Sequence, residues 1–193
     1  MSTDWIVLDI EIAKTIEETP GGWNATDQLG VAVACLYDFR LDRLRIYGPQ
    51  EIDELRARVY SAERITTFNG WRFDFPVLFG LPQPERVEDL RTTSDDLLRR
   101  IWTARRLNPD TFNPKTHGGY KLDTLCLSTL GVGKIGNGAD APKWYQAGQV
   151  QRVASYCADD VFLTRDLALF IDRFGFCLRD EDIIRVPKWE GGV

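Results

Sequence analysis

Residues 4–12, Asp-Trp-Ile-Val-Leu-Asp-Ile-Glu-Ile, form a run of β-formers with two carboxylates set into its second half. At a period of two, Ile6, Leu8, Ile10 and Ile12 share one face, and Trp5, Val7, Asp9 and Glu11 share the other. The first face has to be buried. The second carries neighbouring carboxylates that repel each other and are costly to desolvate without a cation. Two arrangements satisfy this: a solvated strand face near a sheet edge, or a strand that delivers Asp9 and Glu11 to a metal. The D-x-E spacing alone does not choose, since a chain of this composition holds roughly one such triplet by chance.

The rest of the chain predicts a mixed α/β order. Residues 14–27 are a loop containing Pro20-Gly21-Gly22. Strands follow at 29–37 and 44–47, then a helix at 52–60 and a strand at 65–68 that ends on Asn69-Gly70. Ser94 reads as a helix N-cap, with Asp95 and Asp96 in the first turn and Leu97, Leu98, Ile101 and Trp102 at helical spacing. Residues 108–119 are irregular, 120–130 helical up to Gly131, and 131–148 a long glycine-rich loop. A helix over 149–174 and a short strand at 183–186 complete the reading. No repeat or composition break divides the chain, so residues 1–193 are expected to form one α/β domain, a mixed central sheet flanked by helices.

Composition narrows the chemistry. The single histidine, His117, excludes a multi-histidine metal site and disfavours a Ser-His-Asp mechanism, and His117 itself reads as structural. Cys35, Cys126, Cys157 and Cys177 form no C-x-x-C pair and read as buried thiols. Any chemistry therefore falls to carboxylates. The net charge of -5 does not exclude a phosphate substrate, because a pair of divalent cations would nearly cancel it. No apolar run reaches the ~20 residues of a membrane span, and the first residues do not read as a signal peptide, so a cytoplasmic protein is expected.

Two further segments stand out. In Asn69-Gly70-Trp71-Arg72-Phe73-Asp74-Phe75-Pro76, an acidic residue sits among aromatics at a helix start. Asp74 and Pro76 suit an N-terminal turn, but the gathered rings also suit a stacked base beside a metal, which makes Asn69, Phe73 and Phe75 candidate substrate contacts. In Tyr156-Cys157-Ala158-Asp159-Asp160, the i, i+4 spacing puts Tyr156 and Asp160 on one helix face.

Taken in order and spacing, these three segments resemble the motifs of the DEDD superfamily of 3′-to-5′ exonucleases on the ribonuclease H-like fold. They are similar to its D-x-E strand, its Asn-x-x-x-x-Asp turn and the Tyr-x-x-x-Asp helix of its tyrosine subgroup. Lys121-Leu122-Asp123-Thr124-Leu125 and the stretch from Trp144 to Asp160 look like exonucleases related to the proofreading domain of family B DNA polymerases. The resemblance spans about residues 4–170. It implies hydrolysis of a terminal phosphodiester with two divalent cations, magnesium or manganese. It makes Asp9, Glu11, Asp74 and Asp160 the metal-binding carboxylates and places Tyr156 beside the attacking water. Four carboxylates match two such cations in charge and in hard oxygen ligands. One departure is Ile12, where many relatives carry a Thr or Ser.

The expected substrate is nucleic acid with a free 3′ end, DNA in preference to RNA, with no membrane association and with room for a replication or repair partner. An exoribonuclease and a non-catalytic nucleic-acid-binding module are the alternatives. Lys115, Lys121, Lys134 and Lys143, near the two irregular segments, are candidate phosphate contacts. Arg99, Arg100, Arg105 and Arg106 are either phosphate contacts or a solvated helix face, and Trp23, Trp144 and Tyr145 either stack on bases or pack in the core.

Overall fold

The computed structural model describes residues 4–80, 90–134, 136 and 138–191. Strand β1 (Trp5–Ile12) lies at the centre of a five-stranded sheet of order β3-β2-β1-β4-β5. Strands β2 (Val31–Asp38) and β3 (Arg43–Tyr47) continue from it antiparallel, and β4 (Arg64–Thr67) and β5 (Ser94–Asp96) lie parallel on its other side. Helix α1 (Ile52–Ser61) joins β3 to β4, and α2 (Asp74–Phe79) follows β4. After β5 come α3 (Leu97–Ala104), α4 (Pro114–His117), α5 (Leu122–Leu130), α6 (Ala141–Gln146) and the 25-residue α7 (Val150–Phe174). A hairpin of β6 (Phe176–Arg179) and β7 (Asp182–Arg185) closes the order. This mixed sheet flanked by helices is an α/β architecture of ribonuclease H-like type.

The period-two pattern of β1 sets the layers. Ile6, Leu8, Ile10 and Ile12 pack with Leu55 and Val59 of α1 and Phe75 and Leu78 of α2. Val7, on the other face, packs with Cys35 of β2 and with Val153, Cys157 and Val161 of α7. Each large aliphatic side chain taken from water contributes about 1.5–3 kcal/mol, so the register of β1 is strongly determined. Because Asp9 and Glu11 share Val7's face, that register turns them toward α7. No helix among the described residues is long and apolar enough to cross a membrane.

The segment around Ser94 departs from expectation. Ser94 is not a helix cap: Ser94–Asp96 is a strand paired with β4, and Asp96 caps α3, its carboxylate accepting from the Leu98 and Arg99 amides. Asp95 is fully buried and holds two arginines, Arg64 of β4 (Nε to Oδ2, 2.9 Å) and Arg100 of α3 (2.7 Å). Both guanidiniums also reach Asp172 of α7, at 2.6 and 3.2 Å. Arg100 is thus buried in an ion network and Arg105 pairs with Asp182, so this basic run is not simply a solvated face. The loop at 131–148 contains α6, whose start is set by Pro142, and the final strand pairs with β6, which lies between the expected helix and strand where the sequence predicts no element. His117 is buried against the edge of Trp102 and hydrogen-bonds Asn108 O, a structural placement.

Removing Asp95 would leave two buried arginines short of a counter-charge, so Asp95→Ala is expected to destabilise the fold by about 3–5 kcal/mol in urea unfolding. A loss below about 1 kcal/mol would mean that Asp172 alone neutralises both.

Candidate metal centre

Three elements distant in sequence deliver the acidic side chains. Asp9 and Glu11 come from β1 and Asp160 from α7, and their carboxylate oxygens lie within 4.8 Å of one another. Asp74 enters from the first position of α2 and stands outside that group of three, close enough for the Asp9 charge to act on it. Tyr156 lies one helical turn before Asp160 on the same side of α7.

The turn that aims Asp74 is built from short-range constraints. Asn69 has φ 71°, a left-handed conformation that Asn tolerates better than most residues, and its carbonyl accepts from the Arg72 and Phe73 amides. A Cβ on Gly70 would lie 2.4 Å from Thr67 Oγ1, so only glycine fits there. The amides of Asn69 and Trp71 donate to the two oxygens of Asp96, 3.0 Å each. Asp96 therefore fixes both the turn and the start of α3.

Burial governs the electrostatics. It pushes the Asp9 carboxyl up to about 7, and the Asp160 charge adds to the rise. Glu11 is raised further, by burial and then by Asp9 and Asp160. Asp74 is raised by burial and then by Asp9. Asp160 is raised by burial against the opposing pull of Lys134, whose ammonium lies 2.5 Å from Asp160 Oδ2 and donates to the Tyr156 hydroxyl at 3.2 Å. Burial disfavours the Lys134 charge, but Asp160 more than offsets it and the ammonium is held above its ordinary range. Burial and the Asp160 charge lift the Tyr156 phenol to about 12, so it keeps its proton at neutral pH.

One buried oxygen on each of Asp9, Asp74 and Asp160 has no hydrogen-bond partner among the described residues. Orphaned buried acceptors are costly, and here all three are carboxylate oxygens turned into one cluster. The donor set and these orphans fit a hard divalent cation, with Asp9, Glu11 and Asp160 as the group that can hold it.

A cleft of about 840 Å³ opens over the cluster, and Asn69, Phe73, Lys121, Lys134 and Lys143 line it. Trp23, 70% exposed, also lines it and faces Phe73 with ring centres 6.2 Å apart. Trp144 meets the Tyr156 ring edge-on. Two sequence candidates are not brought to this cleft. Phe75 is fully buried in the core, where its ring serves packing and cannot receive a base. Lys115 is exposed on α4, and the cleft's wall does not include it. Lys134 was visible in the sequence only as a loop lysine. Its contact with Asp160 depends on a loop that passes close over Tyr156, where Cβ atoms on Gly136 and Gly138 would come within 3.2 and 3.3 Å of the Tyr156 side chain.

No family model and no curated protein match this chain. A solved structure does: the family B DNA polymerase from the hyperthermophilic archaeon Pyrobaculum calidifontis, at 15% identity and a TM-score of 0.54, over 86% of this chain. The likeness shows a shared fold. The chain spans 24% of that polymerase's length.

The raised acids set a sign for pH dependence. An acid with a higher pKa when folded binds more protons in that state, so its contribution is fully present below the unfolded value and is lost through the folded one. In chelator, the melting temperature is therefore expected to fall as pH rises from Asp9's ordinary 3.8 through about 7, and magnesium or manganese should recover it above that range. A flat profile would mean that the cluster is hydrated. Lys134→Met should cost the metal-free protein about 1–3 kcal/mol and the metal-loaded protein less, by thermal melting with and without the cation.

Proposed function

We propose that this chain is a metal-dependent 3′-to-5′ exonuclease of the DEDD tyrosine subgroup. It hydrolyses terminal phosphodiesters of single-stranded or frayed DNA to nucleoside 5′-monophosphates, with two divalent cations. The observation that carries the reading is the convergence of Asp9, Glu11 and Asp160, with orphaned oxygens on Asp9, Asp74 and Asp160, at the floor of one cleft. Two facts support it: the order of the three sequence motifs, and a fold shared with a DNA polymerase.

On this reading Asp9, Glu11, Asp74 and Asp160 hold the cations, magnesium or manganese. When bound, such a pair supplies Lewis-acid stabilisation of the attacking and leaving oxygens. The chain's own groups then divide the remaining work. Tyr156, with its phenol proton retained, is a poor general base and orients the attacking water through its hydroxyl. Lys134 positions Asp160 and limits the charge repulsion within the cluster. Phe73 and Trp23 flank the cleft where a terminal base can stack, and Asn69 with Lys121 and Lys143 offers polar and cationic contacts to the strand.

The test is digestion of 5′-labelled single-stranded DNA and RNA of one sequence with magnesium, manganese or EDTA. A metal-dependent ladder of shortened labelled products is expected, with DNA the faster substrate. Asp9→Ala and Asp160→Ala should abolish it while the protein still melts cooperatively; turnover in either would overturn the assignment. Tyr156→Phe should lose less than about 100-fold if the hydroxyl only orients water.

A further inference from the structure

A second cavity, of about 410 Å³, shares no lining residue with the acidic cleft. It lies behind the Asn69–Asp74 turn, between α3 and the segment 187–191, and its size is within the ~300–1,000 Å³ range of small-molecule sites. Its wall joins two indoles, Trp71 and Trp189, to the cationic side chains of Arg91, Arg99 and Lys188. The Arg91 and Arg99 guanidiniums each stand 5.5 Å from the Trp71 ring centre. The Trp189 indole N–H is buried and has no acceptor among the described residues.

Arg91 has a partner of its own, and the acids on this wall are Asp96 and Glu190. Both Asp96 oxygens are engaged by backbone amides, and Glu190 is exposed. Arg100 is committed to Asp95, Asp172 and the Pro187 carbonyl, and Arg99 donates to Asp110 at 2.9 Å. Asp110 is itself largely exposed, so an incoming anion can replace it as the partner of Arg99. A cavity with aromatic surface, two cations in Arg99 and Lys188, and one indole donor lacking an acceptor among the described residues matches a ligand that is planar at one end and anionic at the other.

We propose that this cavity binds a nucleoside 5′-monophosphate, its base against Trp71 and Trp189 and its phosphate between Arg99 and Lys188. The site is separate from the acidic centre and does not depend on the reaction assigned there. In chelator the acidic cleft repels phosphate, so binding that survives EDTA reports on the basic cavity.

The probe is deoxyadenosine 5′-monophosphate, titrated into the EDTA-treated protein by calorimetry and by the tryptophan indole N–H resonances. Trp189→Phe identifies the Trp189 resonance by its loss. Saturable binding that shifts this resonance is expected, weakened about 10-fold or more in Arg99→Gln and in Trp71→Leu and retained in Asp160→Asn. The milder Arg99→Lys keeps the charge and should bind between wild type and Arg99→Gln, which covers the case of a Trp71 variant that does not fold. Absence of binding, or binding unchanged in Arg99→Gln, would overturn the site. Inorganic phosphate or deoxyadenosine binding as tightly as the nucleotide would overturn the two-part recognition.

Discussion

The cost of holding carboxylates away from water organises this molecule. Asp9 and Glu11 are placed on a central strand by the same alternation that buries Ile6, Leu8 and Ile10, so they cannot be turned to solvent without exposing the core. Everything around them manages the resulting charge. Lys134 reaches Asp160, and burial holds Asp9, Glu11 and Asp74 in a range where they readily keep protons. A divalent cation could satisfy these groups together.

The same problem is solved differently at the β5 edge of the sheet. Asp95 is as deeply buried as Asp74, but two guanidiniums and the Thr66 hydroxyl saturate it. Asp96, its neighbour, is saturated by backbone amides. The contrast separates these acids within one chain: Asp95 and Asp96, with their oxygens engaged, hold elements together, and Asp9, Asp74 and Asp160, each with an orphaned oxygen, line the cleft. Asp96 links the two groups, because the turn it clamps carries Asp74 at its other end.

The central features of the fold were legible in the sequence because they rest on local patterns. The period of β1, the glycine stop of α5 and the apolar spacing of α7 are each written in a few adjacent residues. Asp9 and Glu11 stood out because strand alternation puts them together on one face, while Asp160 was singled out only through the resemblance of the three motifs taken in order. Ser94 and Asp95 were misread because a polar triplet that completes a buried sheet edge resembles a helix cap until its distant partners, Arg64 and Arg100, are known. Phe75 was misassigned for a related reason. In an aromatic cluster at a helix start, the two-residue step from Phe73 to Phe75 decides which ring lines the cleft and which fills the core. Lys134 and the second cavity depend on contacts across tens of residues and left no local signal.

The Lys134 contact has a further consequence for how the protein is assembled. Small metal-dependent domains commonly stay unfolded until their ion arrives, because nothing else offsets their converging ligands. Here the chain carries its own cation into the cluster on a glycine-rich loop. If the cluster takes ions as proposed, folding and loading become separate events, the domain completed first and charged later. On that reading, removing the ions idles the cleft and leaves the scaffold standing.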